Sequence, residues 1–173
     1  MTACGDNTPK TFTGHITDAS MNTVTVENAE GTCTFSTMDA DKSEANGLLL
    51  GAPVTVNYSG KLEDGAAAAK VATDPTYAEA VGKWTMPDPI DPEGVMGIEI
   101  LIEGQARSIN MATLRYSSWE LQDEAGKILL KGQSVGNGQT IDFTETGIIA
   151  KDADGVYTLT IEGNKAVYTK ATK

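Results

Sequence analysis

Several residue types are scarce in this chain of 173 residues, and each scarcity excludes a class of protein. Arginine occurs only at Arg107 and Arg115, and the net charge is −11. The chain therefore lacks the clustered cations that bind nucleic acid or an anionic membrane surface. No apolar run reaches the roughly eighteen residues of a transmembrane helix. Aromatic residues make up 6% of the chain and cysteine occurs twice, so a disulfide-rich scaffold is also excluded.

Catalytic and metal-binding patterns are also missing. The single histidine, His15, falls on the outward side of a predicted strand, with no Cys, His or carboxylate at ligand spacing beside it. No Ser-His-Asp set, P-loop or dinucleotide-binding glycine motif occurs. Asp152 and Asp154 begin like a calcium loop but lack its later ligands, so a hairpin turn is the preferred interpretation. We predict no catalytic residues, no metal and no cofactor.

Glycine and alternating apolar residues are abundant, with 18 glycines and 40% hydrophobic residues, which is typical of many short strands. In the first half, period-two alternation places Phe12 and Ile16 on the inward face of one strand, and it places Cys33 on the same face of its strand as Phe35. The predicted order is three strands, a short helical turn over 39–47, and two strands. This is the element order of a five-stranded OB-like barrel. Its outward positions are mostly threonine, which favours a scaffolding or protein-contact role over oligonucleotide binding.

The second half predicts about eight strands in up-and-down order, close to the number that closes a small barrel. A helix-compatible segment over 75–79 precedes it, and residues 95–102 are the most apolar run in the chain. Asn137-Gly138 is the strongest turn signal. The fold class is therefore all-β: an OB-like barrel over 10–74 followed by a small eight-stranded barrel over 75–173.

Three blocks in this half carry a family resemblance. They are VGKW at 81–84, SINMATL at 108–114 with Tyr116 and Trp119 after it, and GQSVGNGQTI at 132–141. Together they resemble the lipocalin-like domain of Gram-negative envelope lipoproteins of the gut-anaerobe type, over about residues 76–170. The resemblance implies a compact calyx-like barrel in an outer-membrane lipoprotein, with no catalytic residues to carry over. In such domains the Gly-x-Trp marks the entry to the barrel and the indole plugs its closed end.

The N-terminal residues 1–9 predict a lipid-anchored tether. Small residues lead directly into Cys4, and a polar stretch follows, as at the end of a bacterial lipoprotein signal. Cys4 would then carry the lipid, and the chain would meet a membrane only through that anchor, on the periplasmic face or the cell surface. The alternative is an ordinary exposed cysteine in a frayed terminus. Cys33 would have no disulfide partner and is predicted to be buried.

A ligand site is predicted at the open end of the second barrel, lined by Trp84, Arg115 and Trp119. We expect Arg115, Trp119 and Leu121 to share a face. An apolar wall with a cationic end would suit an acyl carboxylate or another anionic small molecule. The alternative is that Arg115 or Arg107 stacks on a tryptophan and closes the barrel bottom.

Two functions follow from these observations. The first is a non-enzymatic envelope lipoprotein that acts as a binding or accessory module for a small hydrophobic or anionic ligand or an envelope protein. The second is a structural or inhibitor-like interaction protein with solid barrels and no ligand. An enzyme is the least favoured reading.

Overall fold

A computed structural model describes residues 9–171, so Cys4, the predicted lipid attachment site, lies outside the described residues. The architecture is all-β, as predicted, with one short helix, α1, at Pro75–Ala80. The strands are β1 (Lys10–Ala19), β2 (Thr23–Asn28), β3 (Gly31–Ser36), β4 (Asp41–Glu44), β5 (Pro53–Tyr58), β6 (Ala66–Thr73), β7 (Gly82–Pro87), β8 (Val95–Ile100), β9 (Ala106–Ile109), β10 (Leu114–Leu121), β11 (Lys127–Gly136), β12 (Gln139–Lys151), β13 (Tyr157–Ile161) and β14 (Val167–Lys170). The chain divides into two compact units, 1–78 and 79–173, and the division falls within α1.

The first unit is a small Greek-key barrel. Its strands lie in the order β3-β2-β1-β5-β6, and β6 returns to pair in parallel with β3 through Phe35 and Ala66. This closure gives the predicted OB-like barrel. The residues predicted to face inward are buried, because alternation places every second side chain in the core: Phe12 and Ile16 are 6% and 1% exposed, and Cys33 and Phe35 are 4% and 0% exposed.

The helical turn predicted over 39–47 is wrong. The segment forms the short strand β4, which pairs in parallel with the edge of β6 through Asp41–Lys70 and Glu44–Ala72. All four of its side chains are exposed, so a helix here would have had no apolar face to bury. Pairing with β6 instead satisfies backbone groups, and the Lys70 ammonium forms an ion pair with Glu44.

The second unit is a nearly closed antiparallel barrel with the strand order β10-β11-β12-β13-β14-β7-β8-β9. This confirms the predicted eight strands in up-and-down order. The two terminal strands of the sheet, β9 and β10, meet through a single bridge between Gln105 and Ser118. The Ser108 hydroxyl adds two bonds there, donating to Leu114 O at 2.5 Å and accepting from Tyr116 N at 2.9 Å. The Ser108 side chain thus links β9 to two backbone groups of β10.

The antiparallel order defines two ends of this barrel. We call the closed end the one at which β7 begins and β8, β10 and β12 finish. The mouth is the opposite end, where β7 runs into the loop 88–94 and β11 turns into β12 at Asn137-Gly138. Asn137 has a φ of 51° and Gly138 one of 72°, as the predicted tight hairpin turn requires.

Candidate functional site: the mouth of the second barrel

The closed end is filled by Trp84, whose side chain is 0% exposed. Its indole Nε1 donates to Ala80 O at 2.7 Å. Gly82 has a φ of 147°, and a Cβ built on it would lie 2.8 Å from Lys170 Cε. A residue without a Cβ is therefore needed where the chain enters the barrel, as the Gly-x-Trp pattern predicted. The structure places Trp84 at the closed end, away from the mouth.

A lysine is the cation at this end. Lys170 Nζ donates to Glu79 O at 2.6 Å and lies 5.6 Å from the centroid of the Trp84 ring. Burial lowers the pKa of Lys170, and the nearby Glu79 carboxylate partly opposes that shift. The predicted arginine stacking is wrong, since Arg107 instead pairs with Glu99 at 2.5 Å. Lys170 is 91 residues from Glu79, whose carbonyl it bonds, so no local sequence pattern could indicate this contact.

Arg115 and Trp119 do not share a face, so that prediction is also wrong. The register between β10 and β11 shifts between Tyr116 and Ser118, which is a β-bulge. The extra residue reverses the alternation, because each residue of a strand faces opposite to the next. Trp119 is consequently buried, at 3% exposed, with Nε1 donating to Leu101 O at 2.7 Å, while Arg115 is exposed on the outer face.

One wall of the mouth is formed by β12 and its neighbours. Phe143 and Glu145 continue the face of Gly147 and Ile149, both of which are buried. Phe143 and Glu145 themselves are half-buried, by which we mean of intermediate exposure. Nearer the rim, Ile141 on the same face is 60% exposed. Along the inner face of β12, side-chain exposure thus increases from the buried Ile149 to the exposed Ile141 at the rim.

The opposite wall comes from β7 and β8. Met86 pairs with Met96 across the two strands, two residues along from the buried pair Trp84 and Ile98. Both methionines therefore lie on the barrel's inner face, and both are half-buried. Flexible thioether side chains adapt to apolar partners of irregular shape. The mouth therefore has two partly exposed apolar walls.

A polar cluster lies at the base of these walls. Tyr116 OH donates to Glu145 Oε1 at 2.7 Å, and the Tyr116 and Phe143 rings meet edge to face with centroids 5.3 Å apart. Tyr168 is 3% exposed, and the negative charge of Glu145 helps to raise the pKa of its phenol. We call Tyr116, Phe143, Glu145 and Tyr168 the aromatic–carboxylate cluster.

The electrostatics of this cluster keep its phenols protonated. Burial raises the pKa of Tyr116 well above its ordinary value, and the hydrogen bond to Glu145 and the negative charge of that carboxylate raise it further. Burial also raises the pKa of Tyr168, with the Glu145 charge as the second cause. Both tyrosines are therefore neutral groups at neutral pH, and the negative charge of the cluster resides on the carboxylate.

Sequence reasoning missed this cluster because it assigned no face to Glu145. The structure shows that β12 runs unbroken from Gln139 to Lys151. Its alternation from Phe143 through Gly147 to Ile149 was visible and places Glu145 inward. A charged residue at an inward position was the signal that could have identified the site.

Other features of the described residues are less suited to chemistry. A cleft of about 300 Å³ in the first unit is lined in part by Phe12, Cys33 and Leu62. Burial raises the pKa of the Cys33 thiol, with Asp64 and Glu63 adding to the shift, so it stays protonated and unreactive. Asp152 Oδ1 accepts from Asp154 N at 2.8 Å and from Val156 N at 2.9 Å, the geometry of a turn.

Within residues 9–171, no group of three or more His, Cys, Asp or Glu side chains is placed to hold a metal ion. No helix in that same stretch has the length and apolar character needed to cross a membrane.

The family to which known proteins relate this chain is indicated by a match over the second barrel. A search of curated proteins found no match. A solved structure of a lipocalin-like protein from Bacteroides thetaiotaomicron VPI-5482 is 39% identical, with 53% of this chain and 96% of that chain covered and a TM-score of 0.45. The family model described as lipocalin-like matches residues 76–171, close to the predicted extent and more than half of the chain. The chain belongs to the lipocalin-like family.

Proposed function

We propose that this chain is a non-enzymatic binding module whose eight-stranded barrel takes a small hydrophobic ligand at its mouth. The observation that supports this proposal is the increase in side-chain exposure along the barrel's inner face towards the mouth. Ile141 is 60% exposed, and Met86, Met96 and Phe143 are half-buried on the same interior surface. Apolar side chains partly exposed inside a concave rim lose water when an apolar ligand covers them.

The ligand has to be small, or only partly inserted, because the closed end is already filled. Trp84, Ile100, Leu130 and Leu159 are each 0% exposed. A barrel of eight strands has an interior about wide enough for its own side chains or one small ligand. Only the space between the two walls of the mouth remains for an occupant.

The geometry favours a neutral or cationic ligand over the anionic one expected from sequence. Arg115, which the sequence predicted would bind a ligand carboxylate, is exposed on the outer face. The charged group at the base of the mouth is instead the Glu145 carboxylate, which repels an anion.

Titration with N-phenyl-1-naphthylamine, a neutral dye that fluoresces in apolar surroundings, tests the proposal. We expect saturable binding, and Ile141→Lys weakens it at least about fivefold by placing an ammonium on the inner wall. Val167→Lys is the matched control, since Val167 is 50% exposed and lies next to the inward-facing Tyr168. Absence of saturable binding, or equal effects of both substitutions, would favour an interaction module with solid barrels.

The same proposal places the protein in the cell envelope, anchored by a lipid on Cys4. Its support is the run of small residues before Cys4 and the polar stretch after it. Expressed from its full gene in a Gram-negative host, the protein should incorporate radiolabelled palmitate, and Cys4→Ala should abolish the label while Cys33→Ala retains it. Equal labelling of the Cys4→Ala variant would contradict the anchor.

A further inference from the structure

The aromatic–carboxylate cluster has a composition that an ordinary apolar pocket does not need. Tyr116 donates to the Glu145 carboxylate and meets the Phe143 ring edge to face, and the same carboxylate helps to raise the pKa of the buried Tyr168. A carboxylate at such a position costs desolvation free energy, which a leucine or glutamine would avoid. Half-exposed on the inner face, it is placed to meet whatever enters the mouth.

Among residues 9–171, no cation is paired with the Glu145 carboxylate. None of the ion pairs formed by the described residues includes Glu145. Its Oε1 accepts from Tyr116 OH, and within residues 9–171 no hydrogen bond reaches Oε2. Oε2 of this half-buried carboxylate therefore has no partner among residues 9–171 and can accept a ligand group.

The rings and the carboxylate select the same kind of group. The face of an aromatic ring attracts a cation, and clusters of such rings bind quaternary ammonium groups. A carboxylate adds direct charge attraction, which is stronger in a partly desolvated site than in water. An ammonium group gains from both, an uncharged alcohol gains from neither, and a carboxylate is repelled.

We infer that the aromatic–carboxylate cluster binds the ammonium group of a small amphiphilic cation, with the apolar part of that ligand lying between the Met86–Met96 wall and Ile141. This inference rests on the proposed function and adds the chemical class of the ligand. Glu145 supplies the charge, the half-buried Phe143 supplies the ring face, and the rim covers the alkyl chain. Tyr116 and Tyr168 are buried, and Tyr116 holds the carboxylate and the Phe143 ring in place.

Calorimetric titration with three probes that share an eight-carbon alkyl chain tests the inference: octyltrimethylammonium, 1-octanol and octanoate, each below its micelle concentration or solubility limit. We expect the cation to bind at least about tenfold more tightly than the alcohol, and octanoate to bind weakest. Glu145→Gln keeps an oxygen to accept from Tyr116 and removes the charge. We expect it to weaken the cation about tenfold and to leave octanol within about twofold.

Two further variants serve as comparisons. One tests whether a change in net charge away from the site alters binding, and the other tests the contribution of an aromatic ring. Glu120→Gln makes the same change in net charge on a side chain that is 59% exposed and paired with Lys131, and should leave all three affinities unchanged. Phe143→Leu keeps an apolar wall and removes a ring, and should weaken the cation severalfold but not the alcohol.

The outcomes distinguish the inference from the function on which it rests. If octanol or octanoate binds as tightly as the cation, and Glu145→Gln changes nothing, the ammonium inference fails while the binding function stands. If none of the three probes binds, both fail. A preference for the cation that Glu145→Gln abolishes and Glu120→Gln leaves intact supports both.

Discussion

Gly82 shows how one residue determines the geometry of the closed end. Its φ of 147° lies in a region that favours glycine, and its missing side chain leaves room for the Lys170 stem that covers Trp84. The glycine thus permits two contacts, the lysine against the indole and the lysine Nζ against Glu79 O.

Gly82→Ala should therefore destabilise the second barrel by about 1–3 kcal/mol, because it forces a side chain into a strained backbone conformation and pushes on Lys170. Equilibrium urea unfolding measures this. Gly136→Ala is the matched control, since a Cβ there would have no atom within 4 Å. A cost for Gly82→Ala no larger than that of the control would contradict this role.

Tyr116 links the cluster to the pH dependence of stability. Its raised pKa means that the folded state holds the phenol proton more tightly than the unfolded state. The associated stability is fully present below the ordinary phenol pKa of about 10 and is lost as pH rises above it.

Between about pH 9 and 11, the free energy of unfolding should fall with a slope approaching about 1.4 kcal/mol per pH unit for each such tyrosine. Tyr116→Phe should cost about 1–2 kcal/mol at pH 7, through the lost bond to Glu145, and should show a shallower alkaline slope. Urea unfolding across this range measures both. An unchanged slope in Tyr116→Phe would show that Tyr116 ionises normally in the folded protein.

The seam between β9 and β10 has no regular backbone ladder, only an isolated bridge between Gln105 and Ser118. Ser108 holds it by bonding Leu114 O and Tyr116 N, two backbone groups that lack a ladder partner at that point. Partly buried backbone groups without partners are costly.

Ser108→Ala should destabilise the protein by about 1–3 kcal/mol. It should also speed hydrogen exchange at the Tyr116 amide, while the exchange rates of the amides in β1 and β2 stay the same. Ser117→Ala is the control, since its hydroxyl is exposed and donates to Lys131 O over a long 3.4 Å. Unchanged protection of the Tyr116 amide in Ser108→Ala would mean that the seam does not depend on this hydroxyl.

Strands with regular alternation were predictable, and irregular ones were not. The faces of Phe12, Ile16 and Phe35 followed from period two, because burial of one face determines which residues are apolar. The bulge in β10 has no glycine or proline to signal it, so the sides of Arg115 and Trp119 were misassigned. The parallel pairing of β4 with β6 depends on a partner about thirty residues away, which local propensity does not register.

The same distinction applies to the candidate site. The open end of the second barrel is still only the proposed location of a ligand, suggested by the mouths of other β-barrels. Its chemistry was not predicted, because the cluster joins β10, β12 and β14, and its members meet only once the barrel closes. Lys170 at the closed end was missed for the same reason.

Taken whole, the chain combines an OB-like barrel with a lipocalin-like barrel, and the two units offer an internal comparison for any binding experiment. Met86 and Met96 lie on the inner face of the mouth, while Met21 and Met38 lie in the first unit and are 86% and 69% exposed. Methionine methyl groups therefore report on the proposed site and on free surface in one sample.

The central claim is that the mouth of the second barrel binds a small apolar ligand with a cationic end. NMR spectra of protein labelled with ¹³C in the methionine methyls, recorded during titration with octyltrimethylammonium, test it most directly. We expect the Met86 and Met96 signals to shift together and saturate with one dissociation constant, while Met21 and Met38 stay in place. Unmoved Met86 and Met96 signals, or shifts of Met21 and Met38 equal to theirs, would contradict the claim.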